Sequence, residues 1–149
     1  MEVIQFSILI DAPVGAVWNT MLDPVTYREW TKPFTPTSFY EGTWDEGAEI
    51  RFLMTKDDGT TAGMFSRIAR RIDHQFISIE HLGTIDGDKI DTNSEETAKW
   101  APAFENYSFE SLGHQTKLSV EMQTDPEYKP MFESMWPQAL LLLKSMCEE

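Results

Sequence analysis

Apolar residues recur at every second position in several stretches of the chain, the spacing of a half-buried strand. In Val3–Ile10 this sets Ile4, Phe6, Ile8 and Ile10 against Gln5 and Ser7. In Ala48–Thr55 it sets Ala48, Ile50, Phe52 and Met54 against Glu49, Arg51 and Thr55, and the Asp57–Gly59 turn leads into a hairpin partner over Thr61–Arg71. Another strand is expected over Gln75–Gly83. Between Phe104 and Thr124, Tyr107 and Phe109 share a face and "SLGHQ" reverses the chain. Beyond that turn, Leu118, Val120 and Met122 alternate with Lys117, Ser119 and Glu121. Parity stays open over 62–71 and 75–83, so the pattern does not assign a face to Met64, Phe65, Phe76 or Ile77.

Aspartate with proline punctuates the helical segments. Asp11 with Pro13 and Asp23 with Pro24 predict caps and first-turn prolines for two short helices ending near Trp30. Asp125 with Pro126 predicts the start of a longer helix reaching about Cys147. At 3.6 residues per turn, Phe132, Trp136, Ala139, Leu143 and Met146 share one face of it. Ser134, Gln138, Ser145 and Glu148 occupy the other, and Leu141 is a misfit. Pro137 lacks an amide donor and crowds the preceding turn, so a bend is expected just before it, aiming Trp136 inward. Thr31–Glu46 reads as a loop with one short strand at Ser38–Glu41. Thr84–Lys99 reads as an exposed, mobile excursion with a helical turn around Ser94–Lys99.

The resulting order is one strand, two short helices, the remaining antiparallel strands and a long C-terminal helix. This is an α+β domain spanning residues 1–149, in which a curved antiparallel sheet of six to seven strands wraps around the last helix. Two curved layers mate less closely than flat ones, and the space between them is the candidate site. Its expected lining is aromatic: Trp30, Phe34, Trp44, Phe52, Trp100, Tyr107, Phe109, Phe132 and Trp136. Leu140 and the adaptable side chains of Met54, Met64 and Met122 add to it. The competing reading is that the same side chains simply fill a core.

Composition narrows the occupants. The 149 residues are 41% hydrophobic and 12% aromatic, enough for one buried core without disulfides. Twenty-five acidic against twelve basic residues leave a formal charge of −13, which repels phosphate backbones and anionic head groups. Neither nucleic acid nor a membrane surface is expected as a partner. The longest apolar run, Ala139–Leu143, is far short of the roughly 20 residues that cross a bilayer. Cys147 has no partner for an internal disulfide and no leader-like pattern opens the chain, so the expected compartment is the cytoplasm.

Candidate chemistry is sparse. His81 is the one histidine expected on a strand and stands beside Glu80, and these two are the weak candidates for an acid or base. Adjacent strand residues point to opposite faces, so only one of them can meet a cavity. No CxxC, HExxH or EF-hand pattern suggests a metal, no GxSxG suggests a nucleophile, and no cofactor is expected. The acidic clusters "DDG", "DGD" and "SEE" read as solvated loops, though an acidic surface also suits a basic protein partner.

Four stretches together resemble a known family: "ILIDAPVGAVWNTMLDPVTYREW", "WDEGAEIRF", "GHQTKLSVEM" and "MWPQALLLLKSM". In this order and over nearly the full length, the chain is similar to the helix-grip, START-like proteins of the SRPBCC superfamily. In particular it resembles the branch similar to the activator of heat-shock-protein-90 ATPase. That resemblance implies the helix-grip fold. It leaves the function open among apolar-ligand carriers, co-chaperone-like interaction modules that need no ligand, and cyclase-like enzymes using the same cavity, and it carries over no catalytic motif. A small apolar ligand is the preferred expectation, with a protein partner as the alternative and a monomer or weak dimer as the assembly.

Overall fold

The computed structural model describes residues 1–149. In chain order its elements are β1 (Glu2–Ile10), α1 (Val14–Leu22), α2 (Pro24–Trp30), β2 (Phe39–Gly42), β3 (Glu49–Thr55), β4 (Thr61–Ile72), β5 (Phe76–Asp86), β6 (Lys89–Asp91), α3 (Glu95–Ala98), β7 (Ala103–Ser111), β8 (Thr116–Thr124) and α4 (Lys129–Cys147). The strands form one curved eight-stranded sheet, ordered β1-β8-β7-β5-β4-β3-β2 with β6 paired to β5. Each pairing is antiparallel. The concave face is covered by α4, which packs principally on β1, α1 and α2. This is the helix-grip architecture, with two short helices after the first strand.

Alternation works where strands are regular. Ile4 and Ile10 of β1 and Leu118, Val120 and Met122 of β8 are buried, and their polar neighbours Gln5, Ser7, Lys117 and Glu121 face water. It fails in β4 and β5 because their ladder shifts register twice, between Phe65 and Ser66 and between Ile68 and Arg70. Each extra residue reverses the facing of everything beyond it. Met64 pairs with Phe52 and Ile77 with Tyr107 on the inner face, whereas Phe65 pairs with Arg51 and Phe76 with Ser108 on the outer one.

Helix starts divide the three Asp–Pro pairs. Asp23 caps α2, its Oδ1 accepting the Val25 amide at 2.8 Å. Asp11 does not cap α1, whose N-cap is Pro13; its amide instead donates to Glu148 Oε2 at 2.8 Å. Asp125 accepts the Glu127 amide at 2.9 Å within a turn, and α4 begins only at Lys129 with Pro130 in its first turn. The helix runs unbroken through Pro137, which lies on its exposed side, where water can serve the carbonyl the proline leaves without a donor. The four leucines split evenly. Leu140 and Leu143 are buried, and Leu141 and Leu142 are 61% and 41% exposed.

The excursion after Gly83 also departs from expectation, because β5 continues to Asp86 and β6 folds back on it, pairing Ile90 with Ile85. The helical turn appears as α3, capped by the Ser94 hydroxyl. Close approach of β3 to β4 requires glycine at position 63: an added Cβ would lie 1.9 Å from the Phe52 carbonyl oxygen and 2.9 Å from Leu53 Cα. Both obstacles are backbone, so Gly63→Ala must push the strands apart. A loss of about 1–3 kcal/mol is expected from overpacking, read as a lower urea midpoint at unchanged m-value. An unchanged midpoint would refute so tight a contact.

Candidate functional site

Register sets which side chains meet inside the sheet, because directly paired residues share a face. Ile50 pairs with Ser66, Ser66 with His81, and His81 with Ala103. His81 therefore joins the inner row, one residue before the shift that would have turned it outward. Glu80 lies outside and forms an ion pair with Arg67 at 2.7 Å. Of the two acid–base candidates, only the histidine faces α4.

His81 sits in a chain of polar groups. Its Nδ1 lies 2.7 Å from Ser66 Oγ and its Nε2 3.1 Å from Glu105 Oε1, and the Tyr107 hydroxyl donates to Glu105 Oε2. Every donor finds an acceptor when the Ser66 hydroxyl donates to Nδ1 and the Nε2–H donates to Glu105, which is the neutral imidazole. Ser66 is fully buried and cannot meet a substrate. Both ring nitrogens of His81 are engaged by protein, so the ring has no free lone pair for a general base. Glu105 is the common acceptor, and its charge is felt around it. Burial, reinforced by that charge, pushes the Tyr107 hydroxyl well above the ordinary tyrosine range. Burial and then Glu105 push Tyr27 upward as well, against the opposing effect of the Ser38 hydroxyl.

The expected aromatic residues form two connected groups above this floor. Trp136 is the centre of the first, with ring centroids of Phe34 at 4.9 Å, Trp30 at 6.0 Å, and Phe6 and Tyr107 each at 6.2 Å. Its indole N–H points at Met122 Sδ, 3.1 Å away. The second holds Tyr27, Tyr40, Trp44 and Phe52, with Phe52 5.9 Å from the His81 ring. Tyr27 joins the two through Trp30, at 5.5 Å. Leu140 belongs to the same core, and Phe34, Phe52 and Phe132 are half-buried at its margin. Phe109 lies apart, against Trp18 of α1 at 5.0 Å. Trp100 and Met54 are half-buried outside this cluster.

Ser66, Glu105 and Tyr27 were absent from the sequence reading. Glu105 carried a signal all the same: it shares the parity of Tyr107 and Phe109, a charged residue in an apolar row. An open groove of about 720 Å³ lies beside α1, walled by Trp18, Leu22 and Arg71 together with Tyr40 and Trp44 of the second aromatic group. No group of three or more His, Cys, Asp or Glu side chains is arranged to hold a metal, and no helix is long and apolar enough to cross a membrane.

Residues 11–148 match the family described as Activator of Hsp90 ATPase homolog 1-like protein. No curated protein matches the sequence. Among solved structures, the Aha1 dimer from Colwellia psychrerythraea superposes with a TM-score of 0.71 at 18% identity, covering 99% of this chain and 97% of that one. A protein from Arthrobacter aurescens gives 0.67 at 18% identity, covering 96% and 84%. CalU16 from Micromonospora echinospora gives 0.64 at 20% identity, covering 97% and 73%. Similarity at these identities extends to the fold alone.

The raised tyrosines have a consequence at high pH. A group held protonated above its ordinary value of 10.0 contributes stability below that pH and loses it as the unfolded chain ionises above it. Between about pH 8 and about pH 11 the unfolding free energy should fall, and in Tyr107→Phe it should fall less. Urea titrations at the two pH values check this. An equal fall in both proteins would mean that Tyr107 is not held neutral by its site.

Proposed function

The chain belongs to the Activator of Hsp90 ATPase homolog 1-like family, and from that premise we propose that it binds a small, largely apolar molecule between the inner face of its sheet and α4. One observation carries the reading: His81 and Glu105 face inward, yet their side chains keep 12% and 15% of their exposure. Solvent therefore reaches the concave face beyond the part that α4 covers. Phe52 and its strand partner Met64 are half-buried on the same inner face, as is Phe34 against Trp136, so apolar side chains lie near a few polar groups. Such a combination is typical of small-molecule sites. Buried area would supply affinity at about 25 cal/mol per Å² before the costs of association.

A second reading has its own support. Leu141 and Leu142 stand in water on α4, and a solved relative of the same fold is named as a dimer. An interaction surface along α4 would account for apolar side chains that the core does not use.

Trp136 is too central to test the first reading cleanly, since its truncation would remove about 3–5 kcal/mol of core packing. Phe132→Ala at the margin is better. It should weaken binding of an apolar fluorophore on the order of tenfold with a smaller loss of stability, measured by fluorescence titration beside urea unfolding. Native mass spectrometry of freshly purified protein gives an independent check. A mass that leaves on denaturation supports a ligand-holding protein, and a bare chain indifferent to every apolar probe would shift the reading to the α4 surface.

A further inference from the structure

Resting on the ligand-binding reading above, the geometry points to an organic cation as the occupant: we propose that the site takes an apolar amine whose ammonium group sits against the Glu105 carboxylate among the rings of Tyr27, Phe52 and Tyr107. Glu105 has a single ion-pair partner, His81, which balances it only when protonated; in the tautomer that accepts the Ser66 hydroxyl at Nδ1 it does not. The carboxylate charge is thus hydrogen-bonded but not balanced. A carboxylate offers about four acceptor positions, and Tyr107 and His81 fill two of them.

The surroundings favour a cation over other donors. Tyr107 touches the carboxylate, Phe52 lies 5.9 Å from the His81 ring that also touches it, and Tyr27 lies 6.2 Å from Phe52. Aromatic faces attract an ammonium, more strongly where water is excluded. Tyr27 and Tyr107 are raised first by burial and second by the charge of this same Glu105. Outside it, the chain's formal charge of −13 concentrates cations and repels anions near the mouth. A fatty-acid-like ligand would place its own carboxylate against Glu105, and this site is built to reject one.

Three probes of matched shape separate the possibilities: naphthylmethylamine, naphthalenemethanol and naphthoate, titrated calorimetrically at about pH 8, where the amine is charged. The amine should bind at least about tenfold more tightly than the alcohol, with naphthoate weakest. In Glu105→Gln the amide preserves the side-chain shape, and the amine's advantage should shrink to about twofold while the alcohol's affinity holds. An amine that binds no better than the alcohol, or an advantage that survives in Glu105→Gln, overturns the assignment. The wild-type comparison decides the matter even if the variant fails to fold. Binding by none of the three would remove the ligand reading itself, whereas equal binding by amine and alcohol would remove only the cation.

Discussion

The layers of this fold meet at one indole. Trp136 of α4 touches Phe6 of β1, Trp30 of α2, Phe34 of the following loop and Tyr107 of β7, and its N–H is directed to Met122 of β8. A tryptophan buries roughly 150–250 Å², more than any aliphatic side chain could place between a helix and a curved sheet. The four rings lie with centroids 4.9–6.2 Å from the indole, Phe6 stacked on it and the others edge-on or tilted. The layer is held firmly at its centre and filled less completely at its margin, where Phe34, Phe52 and Phe132 remain half-buried.

Much of this was legible in the sequence, and the failures have local causes. Period-two alternation assigned the inner faces of β1, β7 and β8 because those strands pair in constant register. In β3 it missed Leu53, buried on the outer side beside Phe39 and Gly63. In β4 and β5 it had no answer, since two register shifts break the parity that the argument needs. Caps failed differently. Asp11, Asp23 and Asp125 look equivalent beside their prolines, yet only Asp23 finds the first amides of a helix within reach; Asp11 and Asp125 occupy chain that helix formation has not yet entered. The tertiary partner Glu148, 137 residues away from Asp11, is invisible to any local rule.

Of the residues that the structure groups here, many of the aromatic rings and His81 stood out in the sequence, whereas Ser66, Glu105 and Tyr27 did not. Bulky rings announce themselves by abundance. A single glutamate in a strand announces nothing until its row is known, and the row of Glu105 emerges from pairing with Met122 and Ile79. Ser66 was hidden by the register shift beside it. Energetics sharpen the contrast: replacing a buried ionic set by apolar side chains is often neutral or stabilising, and this core has apolar material in plenty. Ser66, His81, Glu105 and Tyr107 instead form a hydrogen-bonded polar chain within that apolar surrounding.

α4 is tied to the β1 edge of the sheet by polar contacts as well as by packing. Near its C-terminal end Lys144 donates to the Leu9 carbonyl at 3.0 Å and pairs with Glu148, whose carboxylate also accepts the Asp11 amide. Lys144 and that amide hold the Glu148 carboxyl below its ordinary range, so the tie stays charged in neutral water. All of these contacts lie at the β1 edge. α4 packs principally on β1, α1 and α2, and β4 and β5 lie further along the order β1-β8-β7-β5-β4. With α4 anchored over β1, His81 of β5 and Glu105 of β7 keep 12% and 15% of their side-chain exposure.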